Sequence, residues 1–325
     1  MREFKIAQPR TVDELTALLA ETKEPAAVMA GGTDLIDELK SGVATAGLVV
    51  DLQTVAGLPG IVPEKDGLRI GAMTRVVDLA DDAAVARDFP SLRDAALSLA
   101  TPQLRNLGTV GGNLCQRPRC WYYRDPLVVC RKKGGSNCFA YQGRNKYHAI
   151  FGGSGCYIVY PSDLAPILIS LGAKVTIGTA KGDKVVALEQ FYSLPDVDVT
   201  RENVLQKGQF LKSVWVPAPK ARQRSAYVKL KERGTWDFAL VSAAVSGTVK
   251  DGVFAEISVI MGGVAPVPWR LKKAEEMLRG KPATEALVRQ AADAALQDAS
   301  LLRENGYKAD LIYAALKGAV LSAIA

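Results

Sequence analysis

Val28-Met29-Ala30-Gly31-Gly32-Thr33-Asp34-Leu35 passes from a short apolar run through a glycine pair into an amphipathic segment that continues to Lys40. The pattern reads as a buried strand over residues 26–30, a tight turn, and a helix over residues 33–40 opening on a Thr/Asp cap. Glycines let the backbone approach an anion closely, and free amides at a helix start favour a pyrophosphate. The turn lacks both the GxGxxG spacing of a dinucleotide fold and the Gly-Lys-Ser/Thr of a P-loop, so alone it reads equally well as a bare strand-to-helix connection. A second glycine turn, Thr109-Val110-Gly111-Gly112-Asn113-Leu114, follows the polar run Thr101-Pro102-Gln103-Leu104-Arg105-Asn106. Two such turns some eighty residues apart can clamp one extended, nucleotide-type cofactor between two lobes.

Strands are expected at 47–52 and 68–72 and helices at 75–83 and 91–99, an α/β pattern. Residues 115–155 break it: Arg, Lys, Gly, Tyr and Cys dominate, periodicity disappears, and the stretch exceeds the ~12–15 residues usual for a structureless loop. Regular patterning resumes with a strand at 156–160, a helix at 162–172 and a strand at 173–177. Near Val216-Pro217-Ala218-Pro219-Lys220 the composition marks a boundary. Beyond it come three strand candidates, 226–232, 238–249 and 253–261, with a Lys250-Asp251-Gly252 turn between the last two, then helices from Trp269 onward. The expected division is residues 1–215, carrying the insert at about 115–156, and residues 216–325, a smaller α+β unit.

Four of the five cysteines, Cys120, Cys130, Cys138 and Cys156, fall in one window just downstream of the second glycine turn, separated by nine, seven and seventeen residues. A zinc site normally shows a close Cys-x-x-Cys pair, absent here, whereas a cubane iron–sulfur cluster takes four thiolates and tolerates wide spacing. A zinc-stapled binding module without flavin is the alternative from another class. Arg117, Arg119, Arg124, Arg131, Lys132, Lys133, Arg144 and Lys146 are expected to surround an anionic cluster and lower its cost of burial. Cys115, beside the glycine turn, reads as a packing residue, and His148 as a residue near the ligands or at the surface.

Composition sets outer limits. The net charge is +7, yet no basic block or nucleic-acid motif accompanies it, which argues against nucleic acid and for a surface meeting an acidic protein partner. A single histidine excludes two-imidazole zinc hydrolase sites. No apolar run approaches the roughly 18–20 residues of a membrane span, and the first residues have no signal-peptide core, so the expected location is cytoplasmic. In that reducing compartment a disulfide framework is disfavoured, which adds weight to metal ligation.

Taken together, Ala30-Gly31-Gly32-Thr33-Asp34-Leu35, Ile70-Gly71-Ala72, Thr109-Val110-Gly111-Gly112-Asn113-Leu114 and Pro161-Ser162-Asp163-Leu164-Ala165 resemble, in order and spacing, the FAD-binding medium subunit of the xanthine dehydrogenase family of molybdenum hydroxylases. The resemblance runs nearly end to end, including Tyr227-Val228-Lys229 and Phe238-Ala239-Leu240-Val241-Ser242. It implies a two-lobed FAD-binding domain of the PCMH (vanillyl-alcohol oxidase-like) type, followed by a small α+β domain with a three-stranded sheet and helices. Most medium subunits lack a cysteine insert. Its presence resembles two branches that add a [4Fe-4S] cluster, periplasmic aldehyde oxidoreductases and 4-hydroxybenzoyl-CoA reductase, and the run from Arg119 to Pro126 looks closer to the first.

By that resemblance Val28, Met29, Ala30, Gly31, Gly32, Thr33, Asp34 and Leu35 wrap the FAD pyrophosphate, and Thr109, Gly112 and Asn113 form the second clamp. Asp163 binds the cofactor's polar chain and Lys229 lies near the flavin. Cys120, Cys130, Cys138 and Cys156 match the cluster ligands. The implied partners are a large molybdenum-cofactor subunit, where substrate chemistry occurs, and a small [2Fe-2S] subunit. An acidic carrier such as ferredoxin would exchange electrons at a basic surface of Arg131, Lys132 and Lys133. In the reductase branch electrons would enter from ferredoxin, and a periplasmic location would follow from a signal borne by a partner subunit.

Overall fold

The computed structural model describes residues 1–325. The chain opens with β1 (Lys5–Ala7), α1 (Val12–Glu21), β2 (Ala26–Met29), α2 (Leu35–Ser41) and β3 (Leu48–Asp51). β3 lies between β1 and β2 and runs parallel to both. Parallel neighbours need crossovers, which α1 and α2 supply, and the middle strand of such a sheet is covered on both faces. All four residues of β3 are accordingly buried. α1 begins where Thr11 Oγ1 accepts from the Glu14 amide, and it buries Leu15 and Leu19 in the core of this lobe.

The second lobe starts with the hairpin β4 (Ile61–Glu64) and β5 (Gly67–Gly71). Helices α3 (Val76–Asp81), α4 (Ala83–Asp88), α5 (Pro90–Ser98), α6 (Pro102–Leu107), α7 (Val110–Cys115), α8 (Trp121–Arg124) and α9 (Leu164–Ser170) come next, then β6 (Lys174–Gly178), β7 (Lys184–Ala187) and β8 (Phe210–Pro217). The strands form an antiparallel sheet in the order β4-β5-β8-β6-β7. α9 is buried on every side, as a helix apolar all round must be. It packs against β10 (Val241–Lys250) and β11 (Val253–Gly262) of the C-terminal unit and so joins the two parts.

That unit is a sheet ordered β12-β11-β10-β9, with β9 at Gln223–Leu230 and β12 at Trp269–Arg270. α10 (Lys272–Leu278), α11 (Glu285–Leu296) and α12 (Lys308–Ile324) enclose a separate core with it. The β10–β11 hairpin turns on Asp251 and Gly252, both at positive φ (51° and 73°), the backbone a two-residue hairpin loop requires. No helix is long and apolar enough to cross a membrane.

The α/β lobe and the α+β unit agree with the sequence reading, with three corrections. Residues 156–160 are extended but pair with no strand: the Ala149 amide donates to Tyr157 O and the Tyr160 amide to Ala265 O. Burial still alternates through Cys156, Ile158 and Tyr160, so the period of two was real while the sheet was not. The C-terminal sheet has four strands, because Trp269 and Arg270 pair with β11. α2 starts at Leu35 rather than Thr33, and Asp34 makes no cap hydrogen bond because its carboxylate is engaged elsewhere.

Candidate functional site

A cleft of about 940 Å³ opens between the lobes, walled by both glycine turns and by the loop before β10. Its size suits a large organic cofactor. Gly32 has φ +73°, a left-handed conformation that favours glycine. A Cβ on Gly31 would lie 2.0 Å from Leu107 O, so the first turn rests backbone to backbone on the end of α6. A Cβ on Gly111 would come within 2.8 Å of Ala72.

The two turns differ in what they offer. In the second, the Val110 amide donates to Thr74 O, Gly111 to Ala72 O, Gly112 to Thr109 Oγ1 and Asn113 to Thr109 O. Its amides are consumed within the fold, and it gives the cleft shape and side-chain groups. In the first, the amides of Gly31, Gly32, Thr33 and Asp34 donate to no atom of the chain. Four consecutive free donors on a cleft wall need an acceptor, and a pyrophosphate supplies one. Val28 and Ala30 to Leu35 line the cleft, whereas Met29 packs behind it. Asp163 lines it from α9's start, accepting from Lys229 Nζ (2.9 Å) and Tyr227 Oη (3.1 Å). Burial raises the Asp163 carboxyl, and the Lys229 ammonium opposes that shift. Lys229 itself stops behind the wall, donating to Ser98 O as well.

Sequence reading missed the mouth of the cleft, formed by Arg233, Trp236, Asp237 and Phe238. Trp236 has φ +50° and is 63% exposed, and its amide donates to Ala100 O on the opposite rim. The available signal was an aromatic pair inside a polar break between two strands.

The insert forms the second site. Cys120, Cys130, Cys138 and Cys156 all line one small cavity, with Lys132, Tyr122, Phe139 and His148. None of the five cysteines is in a disulfide. The proximity of Cys138 and Cys156 lowers the first thiol and raises the second, burial adding to the rise. His148 is buried, with Nε2 3.2 Å from Cys120 Sγ, so the surface reading of it is corrected. Burial, aided by the Lys308 charge, pushes its imidazole down to about 4, which keeps it neutral at pH 7. No three His, Cys, Asp or Glu side chains converge on a single-ion position. Cys115 lies apart, on the cleft wall, its thiol pushed up to about 12 by burial.

The basic residues do not encircle the thiols as expected, because most face carboxylates. Asp34 accepts from Arg124 Nη2 (2.7 Å) and the Arg117 amide (2.7 Å) and pairs with Arg119 Nη1 (2.9 Å). Tyr123 Oη donates to Glu38 (2.8 Å), Arg144 pairs with Glu304, and Lys146 with Glu232. Only Arg131 and Lys132 reach the cavity wall, and Lys132 is buried, which corrects its place on a basic surface. Asp34 therefore bolts the insert to the first glycine turn, joining the two sites.

Residues 2–219 match the FAD binding domain in molybdopterin dehydrogenase, and residues 225–323 match the CO dehydrogenase flavoprotein C-terminal domain. The chain belongs to the FAD-binding subunits of the molybdenum hydroxylases. This flavoprotein subunit is 37% identical over 282 residues to the aldehyde oxidoreductase FAD-binding subunit PaoB of Escherichia coli (strain K12), covering 86% of each chain. It is 28% identical over 289 residues to the carbon monoxide dehydrogenase medium chain of Afipia carboxidovorans, covering 88% of this chain and 84% of that one. The carbon monoxide dehydrogenase structure from Hydrogenophaga pseudoflava that lacks the Mo-pyranopterin moiety matches it with TM-score 0.79 and 27% identity, over 99% of this chain and 97% of that one. A molybdenum hydroxylase subunit of this kind has an FAD binding domain, and the free amides of the first turn fit the cofactor's pyrophosphate.

Proposed function

We propose that this chain is the FAD- and [4Fe-4S]-carrying electron-transfer subunit of a heterotrimeric molybdenum hydroxylase of the aldehyde oxidoreductase kind. Its partners would be a large molybdenum-cofactor subunit and a small [2Fe-2S] subunit, and its two units would divide at residues 215 and 216. The 37% identity to an aldehyde oxidoreductase subunit supports the branch. The cluster assignment rests on one observation above all: four thiols face one cavity, yet no three close on a single ion. A multi-iron group, whose irons point to separate corners, is what such a donor set can share. Holding it requires a wider cavity than the present volume of about 10 Å³.

Bound FAD exchanges electrons one or two at a time, and the protein supplies position, charge and exclusion of water. The amides of Gly31 to Asp34 would hold the pyrophosphate as donors. Thr109 and Asn113 fix the second turn, Asn113 Oδ1 accepting from Ser162 Oγ at 2.6 Å. Asp163 is the polar acceptor on the α9 wall, held in place by Tyr227 and Lys229. Asp34 keeps the insert against the turn, and His148 Nε2, 3.2 Å from the Cys120 sulfur, would donate to it once that sulfur is a ligating thiolate.

The test is cofactor content of the purified protein and of serine variants. Wild type should carry one FAD and four irons. Serine at Cys120, Cys130, Cys138 or Cys156 should lower iron with flavin retained, and Cys115→Ser should leave iron unchanged. Iron lost from the Cys115 variant alone would overturn the ligand assignment, and a colourless wild type would overturn the whole reading.

A further inference from the structure

Between the cleft and the thiol cavity lies a charge triad in which Lys132 and Glu202 are buried and Arg117 is partly exposed. Glu202, 3% exposed, has Oε1 2.5 Å from Lys132 Nζ and Oε2 3.1 Å from Arg117 Nε. Lys132 also donates to Val199 O (2.8 Å), and Arg117 to Thr200 O (3.1 Å). Arg117 lines the cleft and Lys132 lines the thiol cavity, so the triad spans the protein between the two sites. Its net charge is one positive unit, and the Lys132 and Glu202 side chains are 2% and 3% exposed.

Such a group is a poor stabiliser. Removing two charges from water costs several kcal/mol per ion, and apolar residues of the same volume are often equally stable or more so. The burial of this charge therefore calls for another reason, and the cavity that the Lys132 side chain lines holds four sulfur donors. A cluster bound by four thiolates is anionic and becomes more so when it accepts an electron, so a cation fixed in its wall favours the reduced form. The nearby carboxylate acts in the opposite sense, and Arg117 tempers the carboxylate in turn.

We propose that Lys132 is an electrostatic tuning residue that raises the reduction potential of the thiol-bound cluster, with Glu202 holding it against the cavity and trimming its charge. The proposal rests on the reading that Cys120, Cys130, Cys138 and Cys156 hold a [4Fe-4S] group. The couple it concerns is a one-electron reduction: the electron comes from the mediating dye, no bond is made or broken, and the added charge stays on the cluster. Lys132→Met removes the cation and should lower the equilibrium constant for reduction by about tenfold, a fall of about 59 mV in midpoint. Glu202→Gln leaves the cation unopposed and should move the midpoint the other way by a similar factor. Lys132→Arg keeps the charge and should stay near wild type.

Opposite signs distinguish tuning from packing, because a structural role would move both variants together. The experiment is a dye-mediated titration of the complete purified complex, followed by the low-temperature EPR signal of the reduced cluster, with iron and FAD measured in each sample. Glu202→Gln keeps the size of the side chain and is the variant best able to load iron. A midpoint unchanged or lowered in it overturns the proposal whatever Lys132→Met does. Iron loss in both variants with no shift in the remaining signal assigns the triad a structural role and also overturns it. Wild-type protein with flavin and no iron removes the cluster reading itself, a result distinct from either.

Discussion

Gly31→Ala tests the contact between the first glycine turn and the end of α6. The new Cβ would start 2.0 Å from Leu107 O, where side-chain carbons do not approach closer than 3.0 Å, so the two backbones must part by about 1 Å. Overpacking of this kind costs about 1–3 kcal/mol of stability. The larger effect falls on the ligand, because the free amides of Gly31 to Asp34 are placed relative to the far wall by this contact. A hydrogen bond to a charged group contributes about 1.5–3 kcal/mol, so losing one from the pyrophosphate weakens FAD binding roughly tenfold to a hundredfold. Titration of flavin-free protein with FAD, read by flavin fluorescence, measures this, with thermal unfolding of the flavin-free forms run beside it. An FAD affinity within threefold of wild type would refute the reasoning, since it would mean that the spacing of the turns does not set the site.

Asp34→Ala removes one carboxylate from three donors on the insert and should cost about 3 kcal/mol, exposing residues 115–156 to trypsin while the C-terminal unit stays resistant; an unchanged digestion pattern would deny Asp34 its bolting role. Lys308 is buried with its ammonium pushed down to about 7 by desolvation, against about 10.4 when unfolded, so the unfolded chain binds more protons between those values. Unfolding free energy should therefore rise with pH across that window, by up to about 1.4 kcal/mol per unit, and urea titrations at pH 7 and 9 should show the rise reduced in Lys308→Met. Double replacement of Arg131 and Lys133 by Gln should slow electron exchange with an acidic carrier at low salt and leave small-dye reduction unaffected; equal carrier rates would take this surface out of the route.

The parts of the fold legible in the sequence were those decided locally. Asp251-Gly252 between two β-rich runs fixes a hairpin, and the apolar run before Gly31 with an amphipathic one after it gives a strand and a helix wherever they end up. Lys132 shows the opposite case. In sequence it belongs to Arg131-Lys132-Lys133, which reads as solvated surface, but Glu202, seventy residues away, draws the middle lysine inside. Asp34 is similar: its local context reads as a helix cap, and only the arrival of Arg119 and Arg124 turns its carboxylate outward. The second glycine turn satisfied every local criterion for an anion cradle, yet neighbours as distant as Ala72 and Thr74 take up its amides. At each of these places a long-range partner overrode a correct local preference.

The ties between the insert and the start of α12 carry a consequence for how the protein is made. The Asn145 amide donates to Glu304 and the Glu304 amide returns to Asn145 Oδ1, while Asn305 Nδ2 and Lys308 Nζ donate to the carbonyls of Tyr147, His148 and Ala149. Partners 159 residues apart emerge from the ribosome at different times. At about 5–20 residues per second the second set appears roughly 8–30 seconds after the first. Throughout that interval the loop bearing the thiols lacks its clamp. A chain stalled before residue 300 should show thiols reactive to alkylating reagents, and release of the last segment should protect them. A cluster of the proposed kind would meet the most open thiols between synthesis of Cys156 and docking of the last helix, an interval set by the ribosome.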